Sequence, residues 1–248
     1  MSIDVFLAGL FIFFTTSLGA ILALFFNKFP EIGLDTSLAF SGGIMLVASF
    51  TSLILPSIDY GNVYISMFGI ILVFLAIHLI GKFIPHEEKF LKYNLSENYK
   101  GKVRNIILLA LAIIIHNLPE GLAVGVSMVN DVNKGWATAI AIGIQDIPEG
   151  LAVALPLIFL SNRVLIPLLI GILSGFSEFV FAVIGGFSFS IMHFLLPLGL
   201  AFAGGAMIYV TVKEVFPQVY SSGKNEVYIT TGFLIGVLVM LFLDTALG

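Results

Sequence analysis

At 248 residues, with 59% hydrophobic and only 10% charged residues, the chain is too apolar for a soluble globule, in which charged residues make up about 25%. The formal charge of -4 is small, and the absence of cysteine excludes disulfides and thiolate metal sites. What remains is an all-α integral membrane protein with no room for a soluble catalytic domain.

A helix needs about 20 apolar residues to span the bilayer core. The apolar runs predict eight transmembrane helices in a single domain over 1–248: 5–26, 36–55, 63–84, 103–128, 135–160, 164–187, 194–216 and 227–247. The first run lacks the positive leader and small-residue cleavage site of a secretory signal and reads as a retained helix. Pro56 and Pro85 mark the ends of the second and third spans. The polar stretch 85–104 is the one substantial loop, and its His86-Glu87-Glu88 cluster is a weak metal-catching candidate.

Basic residues collect in cytoplasmic loops. Lys28, Lys82, Lys89, Lys92, Lys100, Lys102, Arg104, Arg163, Lys213 and Lys224 all fall on one side of this stack, and Lys134 alone on the other. Both termini are therefore expected to be extracytoplasmic, with the 85–104 loop inside. Asp4, Asp59, Asp131 and Asp244 lie on the outer side, where a negative face would concentrate cations, within a screening distance of about 10 Å.

Two internal repeats are visible. Leu38-Ala39-Phe40-Ser41-Gly42-Gly43-Ile44-Met45 in the second span recurs 162 residues later as Leu200-Ala201-Phe202-Ala203-Gly204-Gly205-Ala206-Met207 in the seventh. Pro119-Glu120-Gly121 in the fourth span recurs 29 residues later as Pro148-Glu149-Gly150 in the fifth. Shifts of five helices and of one helix both reverse the direction of crossing, so an inverted-topology repeat is expected, with a substrate site near the midplane.

The doubled motif carries the chemistry. At about 100° per residue, His116 and Glu120 lie about 40° apart and Asn117 about 60° from Glu120, in one sector of the helix. Gln145, Asp146 and Glu149 repeat that spacing, so two helices can present six nitrogen or oxygen donors to each other. Imidazole with carboxylates suits Zn²⁺ and similar divalent ions, and oxygen donors alone suit harder ones. Pro119 and Pro148 free the carbonyls of Ile115 and Ile144 and favour a kink, while Gly121 and Gly150 permit close helix approach.

Glu178 adds a fourth carboxylate to Glu120, Asp146 and Glu149, and no Lys or Arg lies mid-span to pair with them. Buried unpaired carboxylates cost several kcal/mol each, so these four must take up cations or, when empty, protons. Weaker candidates are Met45, a thioether at the repeated Gly-Gly segment, and Glu214, which follows Lys213 on an exit path. His78 and His193 read as structural.

With His-Asn-x-Pro-Glu-Gly in the fourth span and a Pro-Glu-Gly partner in the fifth, the chain resembles the ZIP (Zrt/Irt-like) family of divalent metal transporters, in particular its bacterial GufA-like branch. The resemblance implies a 3+2+3 inverted-repeat arrangement, elevator-like motion, a homodimer and a binuclear centre between spans four and five. One metal position would use His116, Glu120 and Glu149. The other would use Asn117, Asp146, Glu149 and Glu178, with Glu120 and Glu149 able to bridge. Gln145 stands where many members have histidine and Asp146 where many have asparagine, which exchanges nitrogen for oxygen and adds a charge.

The expected activity is inward transport of Zn²⁺, with Cd²⁺, Fe²⁺ and Mn²⁺ as further substrates, in the cell membrane. No resident cofactor and no nucleic-acid partner are expected. The driving force is the metal gradient, the membrane potential or coupled ions, since no ATP-binding motif is present. An intramembrane zinc-dependent hydrolase is the rival enzyme reading, but the chain lacks His-Glu-x-x-His and has four histidines in all. A passive divalent-cation channel differs from a carrier only in turnover. Because the empty carboxylates take up protons, imposing a pH gradient at constant pH on the metal side is expected to change the rate of Zn²⁺ uptake into proteoliposomes.

Overall fold

The computed structural model describes residues 3–25, 31–83, 117–161, 164–220 and 225–247, and every regular element among them is helical. The 85–104 loop with its His86 cluster, the first part of the fourth span and His116 lie outside the described residues. In chain order the helices are α1 (Ile3–Leu22), α2 (Glu31–Ala48), α3 (Val63–Phe83), α4 (117–130), α5 (Val132–Ser161), α6 (Leu165–Ile191), α7 (Leu196–Val210) and α8 (Glu226–Leu247). Six helical stretches among the described residues are long and apolar enough to cross a membrane, and Val63–Leu79 within α3 is a shorter apolar run.

Local chemistry places the helix starts. Asn62 Oδ1 accepts the backbone N–H groups of Tyr64 and Ile65, each at 3.0 Å, and so caps α3. Asp131 Oδ1 accepts from the Lys134 N–H at 3.0 Å and caps α5. Asp131 is also the single residue between α4 and α5. Asn225, at a φ of 61°, turns the chain into α8, a conformation asparagine tolerates better than most residues.

The second span does not stop at Pro56. After α2 the helix widens into a π-helical segment, Ser49–Ile54, and then continues as Leu55–Tyr60. α7 does the same: Thr211–Val215 is π-helical and Phe216–Tyr220 resumes the α-helix. Proline lacks the N–H and clashes with the carbonyl four residues back. For Pro56 and Pro217 that carbonyl belongs to Ser52 and Lys213, inside the widened segments, and the looser winding carries the helix past the ring. Each segment opens on a hydroxyl that bonds the carbonyl four residues back, Ser49 Oγ to Met45 O at 2.6 Å and Thr211 Oγ1 to Met207 O at 2.8 Å.

The helices pack as two groups. α1 lies against α5 and α6, whereas α2 pairs with α8 and α3 with α7; α2 and α8 also reach α5. Gly121 and Gly125 press α4 onto the α6 backbone at Glu178 and Ala182. About two thirds of the α2, α5 and α7 spans is buried (67%, 65% and 72%), against 22% for α8, so α8 lines the lipid and the others form the centre. Phe68 and Leu75 of α3, Phe176 and Ile184 of α6, and Leu238 and Phe242 of α8 are exposed, as a hydrocarbon solvent allows.

The α2–α8 crossing depends on missing side chains. A methyl group at Gly43 would overlap the Phe233 carbonyl oxygen, and one at Gly236 that of Phe40. Small residues at such crossings let backbones meet, which substitutes for the hydrophobic drive that lipid does not supply. Gly236→Leu is expected to destabilise the protein by about 1–3 kcal/mol through overpacking, read as a lower thermal midpoint in detergent, while Leu238→Ile on the lipid face leaves the midpoint unchanged.

Candidate metal centre

α4 and α5 present their polar residues to the centre of the bundle. From α4 come Asn117 and Glu120, 5% and 0% exposed; from α5 come Gln145, Asp146 and Glu149, at 0%, 1% and 9%. Oxygen atoms of Glu120, Asp146 and Glu149 lie within 4.8 Å of one another. α6 adds Glu178, which is fully buried. The two copies of the motif therefore converge on one region.

Hydrogen bonds divide the region into two ends. At one, Gln145 Nε2 donates to Glu120 Oε1 at 2.8 Å. At the other, Asn117 Nδ2 donates to Glu178 Oε1 and to Ser174 Oγ, the latter at 2.9 Å. Two threonines of α1 complete this second end: Thr16 Oγ1 donates to Glu178 Oε2 at 2.6 Å, and Thr15 Oγ1 lies 3.3 Å from Asp146 Oδ2. Ser41 of α2 donates to the Gln145 carbonyl at 3.2 Å, tying the ligand-bearing helix to the other group.

The helices approach closely here for the reason found at the α2–α8 crossing. A methyl at Gly121 would overlap the Glu178 carbonyl oxygen, and one at Gly150 that of Thr16. α5 runs helical through Pro148, so the proline sits within a continuous helix.

The electrostatics favour a cation. From 105 to 212 the sequence has no lysine or arginine except Lys134 and Arg163, which flank the spans. Among the described residues, Gln145 Oε1 and Asp146 Oδ1 are buried oxygen atoms without a hydrogen-bond donor. A buried acceptor left without a donor costs about 1–3 kcal/mol, a cost that a cation bound at either atom would offset there. The oxygen-rich donor set fits Zn²⁺ and also harder divalent ions.

The remaining candidates fall elsewhere. Met45 is buried in the main apolar core, with its sulfur 3.7 Å from Thr211 Oγ1. Glu214 lies in the π-helical segment after α7, beside Lys213, whose ammonium donates to the Tyr209 hydroxyl at 2.6 Å and sits 4.9 Å from the centre of that ring. His78 and His193 are exposed. Of the outer acids, Asp4 accepts from the Trp136 indole at 3.3 Å, Asp244 from Ser52 at 3.2 Å, and Asp131 serves as a cap. Thr15, Thr16, Ser41 and Ser174 were not singled out by motif reading. One signal was present: Thr16 precedes Glu178 by 162 residues, the interval of the longer repeat.

Comparison with known proteins gives a concordant result. The family model of the ZIP zinc transporter matches residues 85–244. The zinc transporter ZIPB of Bordetella bronchiseptica is 36% identical over 246 residues, covering 95% of this chain and 79% of the relative. Zinc transporter GufA of Myxococcus xanthus is 38% identical over 182 residues, 73% of this chain and 70% of the relative. Zinc transporter ZupT of Chlorobaculum parvum is 32% identical over 252 residues, 94% and 92%. Gln145→His, which replaces an amide by a softer nitrogen donor, is expected to raise the ratio of Zn²⁺ to Mn²⁺ affinity by about tenfold, equivalent to about 1.4 kcal/mol, as read by competitive equilibrium dialysis.

Proposed function

The chain belongs to the ZIP zinc transporter family, and we propose that it carries Zn²⁺, with Cd²⁺, Fe²⁺ and Mn²⁺ as further substrates, across the cell membrane into the cytoplasm through the site between α4 and α5. The observation that carries this reading is the buried meeting of Glu120, Asp146 and Glu149 within 4.8 Å, in helices that hold no lysine or arginine at that depth. Such a cluster is stabilised by a bound metal ion or, when empty, by protons. The three named relatives are zinc transporters, and the chain is a multi-pass membrane transporter rather than an enzyme.

The finer architecture of the proposal is eight spans in an inverted 3+2+3 repeat. Its support is positional. The π-helical segments of α2 and α7 start 162 residues apart, at Ser49 and Thr211, with the same back-bonded hydroxyl in each. Gly121 and Gly150 differ by 29, and they press on Glu178 and Thr16, which differ by 162. The pairing of α2 with α8 mirrors that of α7 with α3. A two-fold relation exchanging α1 with α6, α2 with α7, α3 with α8 and α4 with α5 accounts for all of these.

The proposed centre holds two metals. His116, Glu120 and Glu149 serve one position; Asn117, Asp146, Glu149 and Glu178 serve the other, with Glu120 and Glu149 between them and Gln145 beside Glu120. The two hydrogen-bonded ends of the site support that division. Movement of the group α1, α4, α5 and α6 against α2, α3, α7 and α8 would expose the site to each side in turn. The tighter packing within each group than between them supports such an elevator-like motion, and the transporter is a homodimer in this proposal, as the resemblance implies. Met45 is a candidate soft contact, and Glu214 an exit contact.

Purified protein in liposomes is expected to show slow, saturable Zn²⁺ uptake, and Glu149→Ala to lower it at least about a hundredfold, since removing one partner of a buried charged site costs about 3–5 kcal/mol. Undiminished flux in Glu149→Ala sinks the site assignment. Flux that does not saturate favours a channel.

A further inference from the structure

The hydroxyl of Thr16 has one proton and two acceptors in reach. Its Oγ1 lies 2.6 Å from Glu178 Oε2 and 2.9 Å from the carbonyl oxygen of Ile12, one helical turn back on α1. A hydroxyl donates once, whereas a backbone carbonyl has two lone pairs. The Ile12 carbonyl can therefore accept the Thr16 proton while keeping its helical hydrogen bond, with the Thr15 hydroxyl, 2.9 Å from the same oxygen, turning to the Phe11 carbonyl at 3.2 Å. Thr16 is buried at 2% exposure, so water does not compete for that proton. Glu178 Oε1 already takes the Asn117 amide, and Oε2 is the oxygen that Thr16 addresses.

A cation approaching Glu178 Oε2 competes with the hydroxyl for the electron density of that oxygen and meets the hydroxyl hydrogen on that side, even though the carboxylate has further lone pairs. The alternative acceptor at Ile12 lets the proton leave without breaking the helix or exposing a polar group. Thr15 repeats this geometry more loosely, with Oγ1 2.9 Å from Ile12 O, 3.2 Å from Phe11 O and 3.3 Å from Asp146 Oδ2.

We propose that Thr16 is a positioning residue for metal release: its hydroxyl donates to Glu178 when the site is empty and turns to the Ile12 carbonyl when Glu178 takes a cation. The hydroxyl thus stabilises the empty carboxylate, lowers affinity for the cargo and speeds its departure. The repeat interval sharpens the point. Thr16 occupies the position that corresponds to Glu178 in the other half of the chain, so one half supplies the ligand and the other its displaceable donor.

This inference rests on the reading of Glu178 as a metal ligand, and the two are separable. The test is Zn²⁺ binding by equilibrium dialysis, together with uptake by the full chain in liposomes, for Thr16→Val and Thr16→Ser. Thr16→Val keeps the shape and removes the proton. It is expected to bind Zn²⁺ about tenfold more tightly, the order of a lost hydrogen bond to a charged group, and to show a lower KM together with a lower maximal rate. Its Zn²⁺-induced rise in thermal midpoint is expected to exceed that of the unaltered protein. Thr16→Ser restores the original values because the hydroxyl is retained. Should Thr16→Val fail to pack, Thr16→Ala removes the same proton without an added methyl and is read in the same way.

Weaker or unchanged Zn²⁺ binding in the hydroxyl-free variants overturns the proposal, as does a Thr16→Ser protein that behaves like Thr16→Val. If Glu178→Gln weakens binding while Thr16→Val does not tighten it, the Thr16 role alone is wrong. If Glu178→Gln leaves Zn²⁺ binding intact, the ligand assignment itself fails.

Discussion

Glu120, Asp146, Glu149 and Glu178 are buried among the central helices, where a carboxylate is most expensive to keep ionised, and from 105 to 212 the sequence has no lysine or arginine but Lys134 and Arg163. Everything around them serves that constraint. Thr15 and Thr16 of α1, Asn117 of α4 and Gln145 of α5 each address one of the carboxylates, and the glycines that follow Glu120 and Glu149 bring the α6 and α1 backbones close. The protein supplies donors that hold the carboxylates in place without neutralising them. In the proposed function the balancing charge arrives as cargo.

Proline is handled in two ways in this molecule. In α2 and α7 the helix widens ahead of Pro56 and Pro217 and then continues, and the freed carbonyls fall in the loosened winding. In α5 the helix runs through Pro148 as an α-helix. Widened segments of this kind are frequent at functional sites, and here they sit in the two helices that bear the longer repeat.

Much of the membrane character was legible because lipid imposes a simple rule, an apolar run of sufficient length, that each helix obeys by itself. The convergence of Glu120, Asp146 and Glu149 was equally accessible, since i, i+3 and i+4 spacing determines the face of a helix. The continuation of the second span beyond Pro56 was not, because a π-helical detour depends on how the surrounding helices support a loosened turn. Nor were the roles of Thr15, Thr16 and Ser41: a hydroxyl in an apolar helix usually bonds its own backbone, and only the packing of α1 and α2 against distant helices reveals the second acceptor. Thr16 and Glu178 are separated by the 162-residue interval of the longer repeat, but their unlike side chains hide that relation in the sequence.

Asp131 stands alone between α4 and α5. From Asn130 to Val132 there are two Cα–Cα steps of about 3.8 Å each, so the two helices form a fork whose tines are held together at this tip and have little room to slide past each other. A displacement of one tine draws the other with it, and with both go the carboxylates of Glu120, Asp146 and Glu149. The proposed elevator-like motion fits such a fork, because it would carry Glu120, Asp146 and Glu149 together and leave the rearrangement to the surfaces of the surrounding helices.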